Sequence, residues 1–156
     1  MNGKAEVDRQ RQQLDATFTR AVAVGADPEL LSDYARYLCV LVSGFLEQAV
    51  GEILIEYVRT HSDNRVQQHF EQRLRKLTNL KTERLIGVLG SFDPDWRRHL
   101  EMFLVDEYKD AVDGIVDLRN NIAHGRNVGI TMTRVQNYYV RIKGVVERVA
   151  QLCLPG

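Results

Sequence analysis

What this chain of 156 residues lacks narrows its function quickly. It has two cysteines, Cys39 and Cys153, at no metal-type spacing and in no disulfide framework. It has no net charge, since 21 Lys+Arg balance 21 Asp+Glu, so no overall field announces a nucleic-acid or membrane binder. No apolar run approaches about 18 residues, and Met1-Asn2-Gly3-Lys4 carries no signal-peptide pattern. These absences set the expectation of a reducing, cytoplasmic setting without a membrane partner. Catalytic signatures are missing too: no Gly-x-Ser-x-Gly elbow, no His-Glu-x-x-His and no phosphate-cradling glycine loop. None of the four histidines has a glutamate three residues before it, which excludes the di-iron carboxylate pattern. No metal and no cofactor is expected.

What is present is helical. Hydrophobic residues make up 44% and charged residues 27%, an ordinary globular balance with enough apolar material for a core. Apolar positions recur at helical spacing and no segment alternates as a strand would. The expectation is one all-α domain over residues 1–156, a bundle of about five to seven helices. It comprises an N-terminal helix within 1–26 and a core bundle over 28–152. The first helix runs from about Ala5 to Val24 and stops at Gly25. Asp27-Pro28-Glu29 and Asp93-Pro94-Asp95 are start signals, each an N-cap, a first-turn proline and an acid.

The helix after Pro28 reaches about Thr60. Its broad stripe (Tyr34, Leu38, Leu41, Phe45, Ala49, Ile53, Tyr57, widened by Tyr37, Val42, Val50 and Leu54) marks it as the central one. Its other side carries Val40, Gly44, Glu47 and Gly51. Interior glycines cost about 1 kcal/mol each relative to alanine, so this face implies close approach of something, with Glu47 toward a packed neighbour, a site or solvent. A basic helix spans about Arg65 to Leu77, and a short one Lys81 to Leu89 stops at Gly90. A helix carrying Trp96, Leu100, Phe103 and Leu104 follows Pro94. Another starts near Asp106 and stops at Gly125, and the last is capped by Thr131 or Thr133.

Charge is uneven along the chain. Residues 65–84 carry six cations, Arg73, Arg75 and Lys76 among them, against Glu71 and Glu83; residues 119–148 carry six against Glu147. Residues 101–117 carry six acids against Lys109. The basic clusters either guide a polyanion or are solvated helix faces. Asp106, Asp110, Asp113 and Asp117 read as a solvated acidic stripe, and His61, His69 and His99 as surface residues.

The informative string is Arg119-Asn120-Asn121-Ile122-Ala123-His124-Gly125. An arginine can hold a phosphate through two parallel N–H bonds, and a histidine moves protons near neutral pH. Together they suit phosphate-ester chemistry without a metal. Asn120 and His124 are four apart and share a helical face; Arg119 extends the inward stripe of Tyr108, Val112 and Ile115 and needs a partner there. That partner is Glu47, a ligand or a second copy of the chain. The spacing alone is weak evidence, because 16 arginines and 4 histidines give roughly one chance match. The string also reads as a helix-ending cap beside a structural ion pair.

This string, late in an all-helical chain and followed by one long amphipathic helix, resembles the HEPN superfamily, and most of all its RiboL-PSP-HEPN type. Leu41-Val42-Ser43-Gly44-Phe45-Leu46-Glu47 is similar to that group's central helix, and the resemblance covers about residues 30–150. The resemblance implies a metal-independent endoribonuclease whose homodimer brings two motif copies together. Arg119 would bind the scissile phosphate and His124 serve as general base or acid, leaving a 2′,3′-cyclic phosphate. Asn120 would orient His124 or the phosphate, with Asn121 and Glu47 supporting, and Arg126, Arg73, Arg75 and Lys76 would bind RNA. It further implies a toxin or anti-phage role under a restraining, antitoxin-like partner. Position 126, where some family toxins carry a modifiable tyrosine, is arginine here. The alternative is a non-catalytic module of this fold for dimerisation, RNA binding or adaptor work.

Overall fold

The computed structural model describes residues 3–23 and 27–156, so the stop expected at Val24 and Gly25 lies outside the described residues. The structure is 84% helical, with seven helices and no strand among the described residues. In chain order these are α1 (Gly3–Ala23), α2 (Pro28–His61), α3 (Asn64–Leu74), α4 (Thr82–Phe92), α5 (Pro94–Phe103), α6 (Asp106–Ala123) and α7 (Met132–Cys153).

Helix α2 is the axis of the bundle and packs against α1, α3, α6 and α7. Leu38, Cys39, Val42, Leu46, Ala49, Val50, Ile53 and Leu54 are all fully buried along it. This explains why α2, by length and composition, could cross a membrane: its apolar side chains are the core of the bundle. The expected stripe needs one correction. Tyr37 is 53% exposed, because α1 and α7 cover α2 from other sides.

Helices α2, α3, α4, α5 and α7 start where a side chain accepts from a free N–H of the first turn, whereas α6 opens on Val105 without such a cap. Asp27, Asp63 and Asp93 accept from backbone N–H groups of the first turns of α2, α3 and α5. Thr131 caps α7 by accepting from Arg134 N–H at 3.2 Å, which settles the choice between Thr131 and Thr133. Helix α4 opens on Lys81, which offers no acceptor. The cap comes from α6 instead: Asp113 Oδ1 accepts from Thr82 N–H at 2.8 Å, and Lys81 pairs with Asp117 at 2.9 Å. The acidic stripe of α6 therefore holds down the segment entering α4 at Asp113 and Asp117, and is not wholly solvated. Gly90 is not a stop either. Helix α4 runs through it to Phe92, and a Cβ there would meet the Arg97 guanidinium at 2.5 Å. The basic helix ends at Leu74, three residues short of the expected Leu77.

Helix α1 is fastened by its polar face as well as by Val7, Leu14, Phe18 and Ala21. Tyr139 of α7 stacks on Phe18 at 4.5 Å and donates to Asp15 at 2.6 Å. Burial and the Asp15 carboxylate hold the Tyr139 phenol above its usual range. Both cysteines are buried and free, and burial pushes each thiol up to about 12. Both are therefore expected to resist a thiol-specific disulfide reagent at pH 8 until the fold is melted. Rapid titration of either in native protein would contradict that.

Candidate functional site

The Arg119–His124 segment is built as a helix end. His124 is the C-terminal cap of α6, and Gly125 follows at φ +72, the left-handed region that costs glycine little. Gly125 N–H donates to Ile122 O at 3.0 Å and Arg126 N–H to Asn121 O at 2.9 Å. This two-bond closure satisfies the last carbonyls and fixes where the His124 backbone sits. The imidazole is exposed, as are the side chains of Ala123 and Arg126 around it.

Asn120 and Asn121 carry the flanking arginines. Arg119 donates to Asn120 Oδ1 at 3.3 Å, and Arg126 to Asn121 Oδ1 at 2.9 Å. The Asn120 side chain is thus directed to Arg119; its bond with His124 is of the backbone alone, Asn120 O accepting from His124 N–H at 3.0 Å. One weak neutral bond leaves most of the five guanidinium donors of half-buried Arg119 uncommitted.

The expected inward partner is near but not paired. Glu47, half-buried on α2, lies within electrostatic reach of Arg119 and Arg84, yet no ion pair forms between them among the described residues. Its Oε2 is buried and makes no hydrogen bond among the described residues. Burial raises the Glu47 carboxyl above its usual range, and Arg119, the backbone N–H of Asn79 and Arg84 pull it back only in part. Asn79 is in the left-handed region at φ 52, in the segment pinned to α6 by Asp113 and Asp117. Sequence reasoning missed Asn79 and the role of Arg84. An asparagine in a polar stretch between two helices was the available signal.

The sign of the Glu47 shift gives a stability prediction. An acid whose folded pKa is raised costs the fold nothing below its unfolded value, and the penalty grows as pH rises from there through the folded value. Glu47→Gln is expected to raise the melting temperature at pH 7 and leave it nearly unchanged at pH 4. A lower melting temperature at pH 7 would show that Glu47 is held as a paired carboxylate.

The other expected RNA contacts are dispersed. Arg75 is engaged, at 2.9 Å from Glu52 and 2.8 Å from Glu71. Arg73 and Lys76 are exposed beside it on or just beyond α3, and Arg126 stands next to His124. The other three histidines are exposed, though not bare. His61 stacks on Tyr57 at 4.1 Å, His69 meets the Phe70 ring edge at 5.7 Å, and His99 lies 3.3 Å from Arg148.

An all-α bundle presenting Arg-x4-His where a late helix ends is the arrangement of a HEPN domain. The family model RiboL-PSP-HEPN matches residues 6–154, and the chain belongs to that family. HEPN domains are often ribonucleases, so the family supports a ribonuclease or nucleotide-related role. Comparison with curated proteins and with solved structures gave no match.

Proposed function

We propose that this protein is a metal-independent endoribonuclease whose site is assembled from Arg119 and His124 of two copies of the chain. The observation that carries this reading is the pair itself: an exposed imidazole at a helix end, five residues from a guanidinium with donors to spare. Within one chain the two are badly placed to cooperate. Five residues of α-helix separate them by about 7.5 Å along the axis and about 140° around it. A two-fold arrangement removes that difficulty by bringing the arginine of one copy against the histidine of the other.

In this reading Arg119 holds the phosphate and stabilises the charge that builds on its oxygens. One His124 takes the proton of the ribose 2′-OH as O2′ bonds to phosphorus. The P–O5′ bond breaks, and a water molecule gives a proton to the leaving O5′, the imidazolium then returning its proton to that water. The products are a 2′,3′-cyclic phosphate and a 5′-hydroxyl. Asn120 holds the Arg119 side chain and Asn121 holds Arg126, which with Arg73 and Lys76 contacts the RNA backbone. A cytoplasmic toxin or anti-phage role under a restraining partner belongs to the same reading.

The test is incubation of mixed single-stranded and structured RNA with excess EDTA, followed by end-group analysis. Cleavage ending in cyclic phosphate is expected, and RNA with a 2′-deoxy sugar at the cleaved position is expected to survive. Cleavage that stops in EDTA, or that leaves a 3′-hydroxyl, would contradict the mechanism.

A further inference from the structure

We propose that the cleft between α1, α2 and the end of α3 is a nucleobase subsite, taking the base beside the scissile phosphate and selecting guanine. This rests on the ribonuclease reading and names what that site prefers.

Position is the first argument. The cleft holds about 550 Å³, and Glu47, its wall on α2, is the same residue that feels Arg119. A base lodged there lies against Glu47, which is within electrostatic reach of Arg119. Past Gly44 it continues into a second hollow of about 450 Å³, walled by Tyr37, Leu41 and Phe45. A polar hollow joined to an apolar, aromatic one suits a base that offers an edge to one and a face to the other.

The floor is the second argument. Gly51 is explained within the chain, since a Cβ there would meet Leu74 O at 2.9 Å. Gly44 is not: a Cβ there would meet nothing within 4 Å. The space above Gly44 is open to both hollows, and no described residue fills it.

The third argument is a surplus of acceptors. The charged rim is satisfied, Arg9 by Glu6 at 2.5 Å and Arg75 by Glu52 at 2.9 Å. Behind it two oxygens of lining residues, Oε2 of Glu47 and Oε1 of Gln10, are buried with no hydrogen-bond partner among the described residues. The Gln10 amide is turned this way by its own bond from Nε2 to Glu6 at 3.2 Å. The terminal torsions of Glu and Gln are soft, so either oxygen can swing into the cleft. A phosphate has no proton to give them. The Watson–Crick edge of guanine has adjacent N1–H and N2–H donors, whereas uracil sets one N–H between two carbonyls that would repel these oxygens.

The experiment measures anisotropy of labelled hexanucleotides on the His124→Ala protein, which is expected to bind RNA without cutting it. The probes are U6 and the same strand with one guanosine or one inosine. About tenfold tighter binding of the guanosine strand over U6 is expected, with inosine, which lacks the 2-amino group, in between. Gly44→Leu fills the open floor and Gln10→Leu removes one acceptor. Neither is expected to lower the melting temperature, and each is expected to erase the preference. Equal binding of the guanosine strand and U6, or a preference that survives both substitutions, overturns the proposal. The two readings fail separately: cleavage by wild type without base preference sinks the subsite alone, and guanine binding without cleavage sinks the nuclease alone.

Discussion

Replacing His124 by alanine is expected to lower RNA cleavage by roughly 10²–10⁴-fold while the protein stays folded. The imidazole is exposed and makes no hydrogen bond among the described residues, so its loss removes chemistry and almost no packing. The backbone turn through Gly125 and Arg126 does not use the side chain and should persist. Arg119→Ala is expected to cost roughly 10²–10³-fold, the scale of losing one donor to a developing oxyanion. Arg119→Lys should recover little, because an ammonium cannot grip two phosphate oxygens in parallel. Single-turnover rates beside thermal melts separate these effects from unfolding. If Arg119→Ala melts several degrees lower and His124→Ala cuts RNA as wild type does, Arg119 is a structural cation and the chain a non-catalytic module.

The second large effect concerns the two glycines of the small face of α2. Gly51→Val is expected to destabilise the fold by about 1–3 kcal/mol, because the new carbons press on a backbone carbonyl, which cannot rotate away as a side chain would. For a chain of this size that is a drop of very roughly 2–12 °C in melting temperature. Gly44→Ala is expected to act oppositely, stabilising by up to about 1 kcal/mol through helix propensity alone. Thermal unfolding of the pair reads both at once. A destabilising Gly44→Ala would mean that α2 is crowded at that point, and the open floor argued above would be lost.

The places where sequence reasoning worked share a physical cause. Cap and proline signals act within four residues, so Asp27-Pro28, Asp93-Pro94 and Gly125 could be read directly. The central place of α2 followed from the width of its apolar stripe. Most of the failures are long-range. The acidic stripe looked solvated because the groups it serves, Thr82 N–H and Lys81, lie some thirty residues away. Arg75, expected on RNA, pairs with Glu71 one turn back on α3 and with Glu52 on α2, and only the second partner lies beyond the reach of local spacing. Gly90 looked like a stop because the Arg97 guanidinium that lies over it comes from the next helix.

The candidate site divides the same way. Arg119, Asn120 and His124 stand in one short string, and their placement at a helix end was legible from that string. The Glu47 environment was not. It depends on α2, the Asn79 segment and α6 meeting, and on the absence of an ion pair that the stripe of α6 seemed to demand.

The most direct test of a site shared between two chains is to mix the inactive Arg119→Ala and His124→Ala proteins, let subunits exchange, and assay RNA cleavage in EDTA. A mixed dimer holds one intact arginine–histidine pair of its two. With half the dimers mixed, about a quarter of wild-type activity is expected to return. If wild type cleaves and the exchanged mixture stays silent, each chain carries its own complete site, and the composite arrangement is wrong.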